Sequence, residues 1–301
     1  MAELNYFEKL LAPANPALNQ SADRFFYDTQ LLTAAEIEKL GSESNPEGHV
    51  LVVYPHGSEH TIFSGSAQAC VHALKLLPKD QRPTAVVLSG VGSSALGSAA
   101  LARAVANQLQ GPVMAVITGF GAADMLSEAI GGWYVHGMRN SYASFRDYFD
   151  AVAPTPDKRL CQLTDSELNS EESLRLVYGS PDGAALVYLL YHLRSDIGLL
   201  VGHSKGNYVI ENALQALVQL CDKQLATLAN LHIVTVGAAV HFPREFTRVN
   251  QYLGSLDWFG MLNSRPEASR DWLWGASHSL NPRMPTALQL DDILRRAGVI
   301  N

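Results

Sequence analysis

Cysteine, charge and long apolar runs are all scarce in this chain. Its three cysteines, Cys70, Cys161 and Cys221, are spread over 301 residues and form no Cys-x-x-Cys pair. That count and spacing exclude a disulfide framework and a thiolate metal site, leaving reduced thiols. Lys+Arg 22 against Asp+Glu 29 leaves a net charge of -7, with no long basic run. Phosphate contacts need clustered Lys and Arg, so no nucleic-acid partner is expected, nor any attraction to anionic membranes. Polar or helix-breaking residues interrupt every apolar stretch short of the ~18 to 20 residues that span a bilayer, so no stable membrane insertion is expected. Glu3 and Glu8 occupy the region where a secretory signal carries a basic start and an apolar core, which gives a cytoplasmic expectation. No repeat, low-complexity tract or linker divides the chain, and 1–301 reads as one domain. A globular chain of this length with 47% hydrophobic residues buries about 75% of its unfolded surface and needs no metal or disulfide to hold its core.

Apolar runs at 50–54, 85–88, 113–117, 197–201 and 231–236 punctuate the sequence. They are continuous rather than alternating, the mark of strands buried on both faces of a parallel sheet. Between them, residues 66–77, 95–109 and 208–221 repeat apolar positions three or four apart; Ile210, Ala213, Leu214, Leu217 and Cys221 form one such stripe. Strand alternating with helix gives an α/β class, a mostly parallel central sheet with helices on both faces. The span 121–181 breaks the rhythm with Gly131-Gly132 and prolines at 154, 156 and 181. It reads either as an inserted cap or lid or as a solvated connector.

Gly202-His203-Ser204-Lys205-Gly206 follows one apolar run and precedes a helical stripe. A bare Gly-x-Ser-x-Gly arises by chance about 0.1 times in a chain of this length, so its context carries the weight. A sharp strand-to-helix turn forces strained angles on the serine, and the flanking glycines avoid collisions with neighbouring elements. A serine hydroxyl needs a base to take its proton and an acid to orient that base. Where both follow the nucleophile along the chain, the base is His232, His241 or His278. The acids available to these are Glu211 and Asp222, then Asp257 and Asp271.

Further features then match a known family. Val234-Thr235-Val236-Gly237, Thr247-Arg248-Val249-Asn250 ahead of Asp257, and Gly275 through His278 resemble the strand ending in glycine, the Arg-Val-Asn strand before the acid and the histidine loop of class three lipases. Val135-His136-Gly137 and Asn140-Ser141-Tyr142 resemble that family's strand and helix before the nucleophile. The similarity covers roughly residues 110–285. It implies an α/β-hydrolase fold and a triad of Ser204, Asp257 and His278. It further implies a cofactor-free serine hydrolase acting on a small-molecule or lipid carboxylic ester (lipase, esterase or phospholipase-like) through an acyl-enzyme. A non-hydrolytic binding protein on the same scaffold and an acyltransferase are the alternatives. The chain departs from the family at Lys205, where leucine is usual, and at Asn207, where glycine is usual.

An oxyanion hole needs backbone donors, one of them the N–H after the nucleophile, here Lys205. The second comes from Thr118-Gly119-Phe120, where the resemblance implies Phe120 with residues 122–130 as an amphipathic lid, or from Gly90-Val91-Gly92. Gly90 to Ala95 also fits a dinucleotide fingerprint, but no acid follows until Asp124, so no dinucleotide is expected. His56 and His60 stand among Gly and Ser with no third ligand, so no metal is expected. Trp258, Phe259, Met261, Trp272 and Trp274 surround the expected acid and base and read as core packing or as a pocket lining.

Overall fold

The computed structural model describes residues 23–42, 45–90, 93–118, 168–178, 180–219, 228 and 230–301. Among these, strands β1 (Val50–Val53), β2 (Phe63–Gly65), β3 (Ala85–Leu88), β4 (Val113–Val116), β5 (Leu199–His203), β6 (His232–Val236), β7 (Arg248–Gly254) and β8 (Asp271–Leu273) form an 8-stranded sheet. Its order is β2-β1-β4-β3-β5-β6-β7-β8. From β4 across to β8 every pairing is parallel. The run at 50–54 departs from the parallel reading, because β1 is antiparallel to both β2 and β4. A continuous apolar run reports burial on both faces and carries no information on strand direction.

Successive strand residues point to opposite faces, and both faces are covered. Val50 and Val52, Val86 and Leu88, Met114 and Val116 pack into one apolar cluster; Leu51 and Val53, Ala85 and Val87, Val113 and Ala115 pack into the other. On the first face lie helices α2 (Ala67–Lys75), α4 (Glu171–Tyr178), α5 (Pro181–His192) and α6 (Lys205–Gln219), on the second α1 (Ala34–Ser42), α3 (Ala95–Leu109) and α8 (Leu290–Arg296). The stripe Ile210, Ala213, Leu214 and Leu217 faces the first cluster as its spacing requires. Short polar caps start the helices. Ser66 Oγ accepts the Ala69 N–H, Ser94 Oγ the Leu96 N–H, and Ser180 Oγ the Gly183 N–H ahead of Pro181.

Of the span 121–181, only its final part is described. Leu168 and Leu174 are buried in the first cluster, and Ser180 and Pro181 begin α5, so this part belongs to the helical layer. Residues 121–167, with the lid expected at 122–130, lie outside the described residues.

The order of the sheet positions the site. From β3 the chain steps to β4 on one side, whereas from β5 it steps to β6 on the other, so β3 and β5 are neighbours at which the winding reverses. Open α/β sheets bind ligands in the crevice beyond the strand carboxyl ends at such a point. Ser204 follows the last residue of β5, and Gly90 follows β3 by two residues. An added Cβ on Gly90 would lie 3.3 Å from Ser204 Cβ.

Candidate active site

Ser204 sits in the turn between β5 and α6 with φ 53, a left-handed conformation for a residue that has a Cβ. Such a conformation costs on the order of 1–3 kcal/mol and persists only where its surroundings impose it. Here they do. The Ser204 N–H donates to Val236 O at 2.9 Å, which extends the β5–β6 ladder by one bond before α6 begins. Side chains at the flanking glycines would collide with their neighbours: a Cβ on Gly202 would strike Asn207 Oδ1, and one on Gly206 would strike the Leu88 carbonyl. The helix starts at Lys205, three residues before the apolar spacing at 208–221 begins.

Asp257 and His278 meet, as the resemblance implied. His278 Nδ1 lies 2.9 Å and 2.8 Å from the two Asp257 carboxylate oxygens. A carboxylate only accepts, so Nδ1 carries the proton of this bond, and in a neutral imidazole that tautomer puts the lone pair on Nε2. Asp257 is buried and also caps α7 (Trp258–Asn263), accepting the Gly260 N–H at 2.6 Å. The imidazole stands between two aromatic rings, Phe26 at 5.7 Å and Phe259 at 4.9 Å, both edge-on. It lies against Gly237, where a Cβ would come within 2.9 Å of His278 Cε1; Gly237 has φ +74 and directly follows the Val236 that holds Ser204. Ser204 and His278 thus border the same turn at the end of β6. Among the described residues no hydrogen bond joins them.

His203, the residue before Ser204, is fully buried and neutral. Burial pulls its pKa well below the usual histidine range, and the neighbouring His278 adds to this against a hydrogen bond that opposes it. Its Nε2–H donates to the His278 carbonyl at 3.0 Å, and its Nδ1 accepts from Tyr27 Oη–H at 2.7 Å. Tyr27 Oη accepts in turn from the Gly90 N–H at 2.6 Å. One unbroken chain of bonds therefore runs from the loop after β3 through the serine turn to the histidine loop. Residues 24–26 clasp that loop as well: Leu280 N–H donates to Phe26 O, Ser279 Oγ to Phe25 O and Asn281 Nδ2 to Arg24 O. The clamp uses backbone carbonyls, so the residue types at 24–26 gave no sequence signal for it.

The Lys205 N–H is the first in α6, one of the amides that a helix leaves without an internal acceptor. It stands next to the serine and is available to an anionic oxygen. In the competing loops, the Gly90 amide is engaged by Tyr27. Val91, Gly92, Gly119 and Phe120 lie outside the described residues.

Among the described residues no hydrogen bond joins the remaining histidine and acid candidates to Ser204. His232 opens β6 at the opposite end of that strand, bonded to Asn250 at 2.9 Å and Arg248 at 3.2 Å. His241 is exposed, Asp271 is exposed on β8, and His56 and His60 are exposed on a loop. Among the described residues no group of three or more His, Cys, Asp or Glu is placed to hold a metal, and no helix is long and apolar enough to cross a membrane. The start of α3, where a dinucleotide phosphate would sit, is filled by the chain's own Asp23. Its carboxylate accepts Ser94 Oγ–H at 2.5 Å and the Ser94 N–H at 3.3 Å. Of the group read as core packing or as a pocket lining, Phe259 is buried, whereas Trp258, Met261, Trp272 and above all Trp274, 88% exposed, face solvent. Cys70 is a buried free thiol, pushed up to about 12 by burial; Cys161 and Cys221 lie outside the described residues.

No family model matches the chain, and neither the curated proteins nor the solved structures contain a match to it.

Proposed function

We propose that this chain is a serine hydrolase of the α/β-hydrolase kind, cleaving carboxylic esters through an acyl-enzyme on Ser204. The observation that carries the reading is the left-handed Ser204 between β5 and α6, at the sheet's switch point. A left-handed serine carries a conformational cost that an ordinary buried turn does not require, and a strand-to-helix turn of this kind aims its hydroxyl beyond the strand ends. Support comes from the Asp257–His278 pair, whose chain order after Ser204 is that of such enzymes and whose tautomer leaves Nε2 free to take a proton.

In this mechanism Ser204 Oγ attacks the ester carbonyl carbon while His278 Nε2 accepts its proton. The carbonyl oxygen becomes an anion that receives the Lys205 N–H. The tetrahedral centre collapses, the carbon–oxygen bond to the alcohol breaks, and His278 returns the proton to the departing alkoxide. Water then attacks the acyl group by the same route and regenerates the serine. Asp257 holds the imidazole in its tautomer and stabilises the imidazolium.

The alternative of a binding scaffold draws on the missing Ser204–His278 hydrogen bond. Resting enzymes share that feature, because such bonds tighten in the substrate complex. Turnover of short-chain aryl esters by wild type and Ser204→Ala decides between them. The hydrolase reading expects a loss of at least about 10³-fold in the folded variant. Equal turnover by the variant, or none by wild type across acyl lengths, favours the scaffold.

A further inference from the structure

Lys205 is an unexpected residue to find after the serine, because its side chain is only 3% exposed. Its ammonium lies 3.0 Å from Asp182, which is 0% exposed, and 3.2 Å from Glu47, 32% exposed. It also donates to the Thr118 carbonyl at 2.5 Å. Burial alone would depress the ammonium's pKa, but the two carboxylates outweigh it and hold the group above the usual lysine range. Removing an ammonium from water is costly, and an apolar side chain of similar volume would fill the space without that cost. The cation therefore supplies something that packing does not.

Its three partners come from separate elements, two of which are bonded to each other. Glu47 lies in the turn leading to β1, and that turn is bonded to the end of β4 through Gly48 N–H to Ile117 O and Ile117 N–H to His49 O, both 2.9 Å. Thr118 continues β4. Asp182 lies in the first turn of α5, where its carboxylate accepts the Gly183 N–H at 2.8 Å and bonds Ser180 Oγ. Glu47 and Thr118 are thus held together without Lys205, the start of α5 lies against the same turn, where a Cβ on Gly48 would come within 2.6 Å of Pro181 O, and the lysine ties the first residue of α6 to all three.

We propose that the Lys205 side chain is a positioning group: clasped by Asp182, Glu47 and the Thr118 carbonyl, it holds the first turn of α6 so that the Lys205 N–H meets the developing oxyanion. The inference rests on the hydrolase reading and deepens it. The residue contributes through two parts with different roles, the backbone amide touching the reacting oxygen and the ammonium fixing that amide from the far side. Slackening the tether harms the transition state and leaves ester binding nearly intact, because the oxyanion forms only after attack.

The test compares wild type, Lys205→Met and Lys205→Arg in ester turnover, in affinity for a trifluoromethyl ketone that forms the tetrahedral adduct, and in thermal stability. Lys205→Met is expected to lose roughly 10- to 100-fold in kcat and a comparable factor in ketone affinity, with KM within about 3-fold. Lys205→Arg is expected to recover most of both, since a guanidinium also pairs with carboxylates. A folded Lys205→Met with wild-type kcat and ketone affinity overturns the proposal, as does a fall in melting temperature alone. Should Lys205→Met not fold, Glu47→Gln removes only the outer ion pair and is expected to lower kcat about 3-fold or more at constant KM; an unchanged kcat overturns the proposal there too. Absence of turnover in wild type would instead sink the hydrolase reading itself, so the two failures are distinct.

Discussion

One carboxylate, Asp257, serves both α7 and His278: it accepts the Gly260 N–H at 2.6 Å and faces His278 Nδ1 at 2.8 Å. The helix cap fixes the carboxylate, and the carboxylate fixes the ring, so the orientation of His278 derives from the start of a six-residue helix.

The two duties of Asp257 separate by substitution. Asparagine caps helices as well as aspartate does, but it brings no charge to an imidazolium and can leave the ring in the wrong tautomer. Asp257→Asn is therefore expected to keep its stability within about 0.5 kcal/mol while losing about 10³- to 10⁴-fold in turnover. Asp257→Ala is expected to lose the cap too, an added cost of about 1 kcal/mol. Urea unfolding and ester kinetics on the same preparations check both; an Asn variant with full turnover would remove Asp257 from the mechanism.

Asp23 gives the fold a pH dependence. Burial raises its carboxyl from 3.8 to about 7, against the hydrogen bonds from Ser94 and Gly97 that favour the anion. A folded-state value above the unfolded one means the native protein binds the extra proton between the two. The contribution of Asp23 to stability is thus fully present below about pH 4 and is lost as the pH rises through about 7. The full swing is on the order of 4 kcal/mol. Asp23→Asn should flatten the decline between about pH 4 and pH 7, measured as urea midpoints. Parallel pH profiles for variant and wild type would contradict it.

The legible parts of this protein were those decided locally. β3 and α3 stand where the apolar run at 85–88 and the apolar spacing at 95–109 put them, bounded by Gly90 and by the Ser94 cap. β5 is displaced from the run at 197–201 to Leu199–His203, because His203 is buried through hydrogen bonds and not through apolarity. β7 opens with exposed and half-buried residues and β8 is a three-residue edge strand, so neither gave a continuous run. α5 is buried almost all round and so shows no polar face to mark it.

The site divides in the same way. The serine turn is a local pattern, and the acid and histidine followed from the resemblance over roughly residues 110–285. Tyr27 reaches His203 across 176 positions, and Lys205 reaches Glu47 across 158. No periodicity links residues so far apart; the sheet order alone brings them together.

The most direct test of the central claim is labelling of the folded protein with a fluorophosphonate probe, followed by peptide mapping. The account predicts a single adduct on Ser204 in wild type and none in Ser204→Ala. An unlabelled wild type, or a label that persists in the variant on another residue, would contradict it.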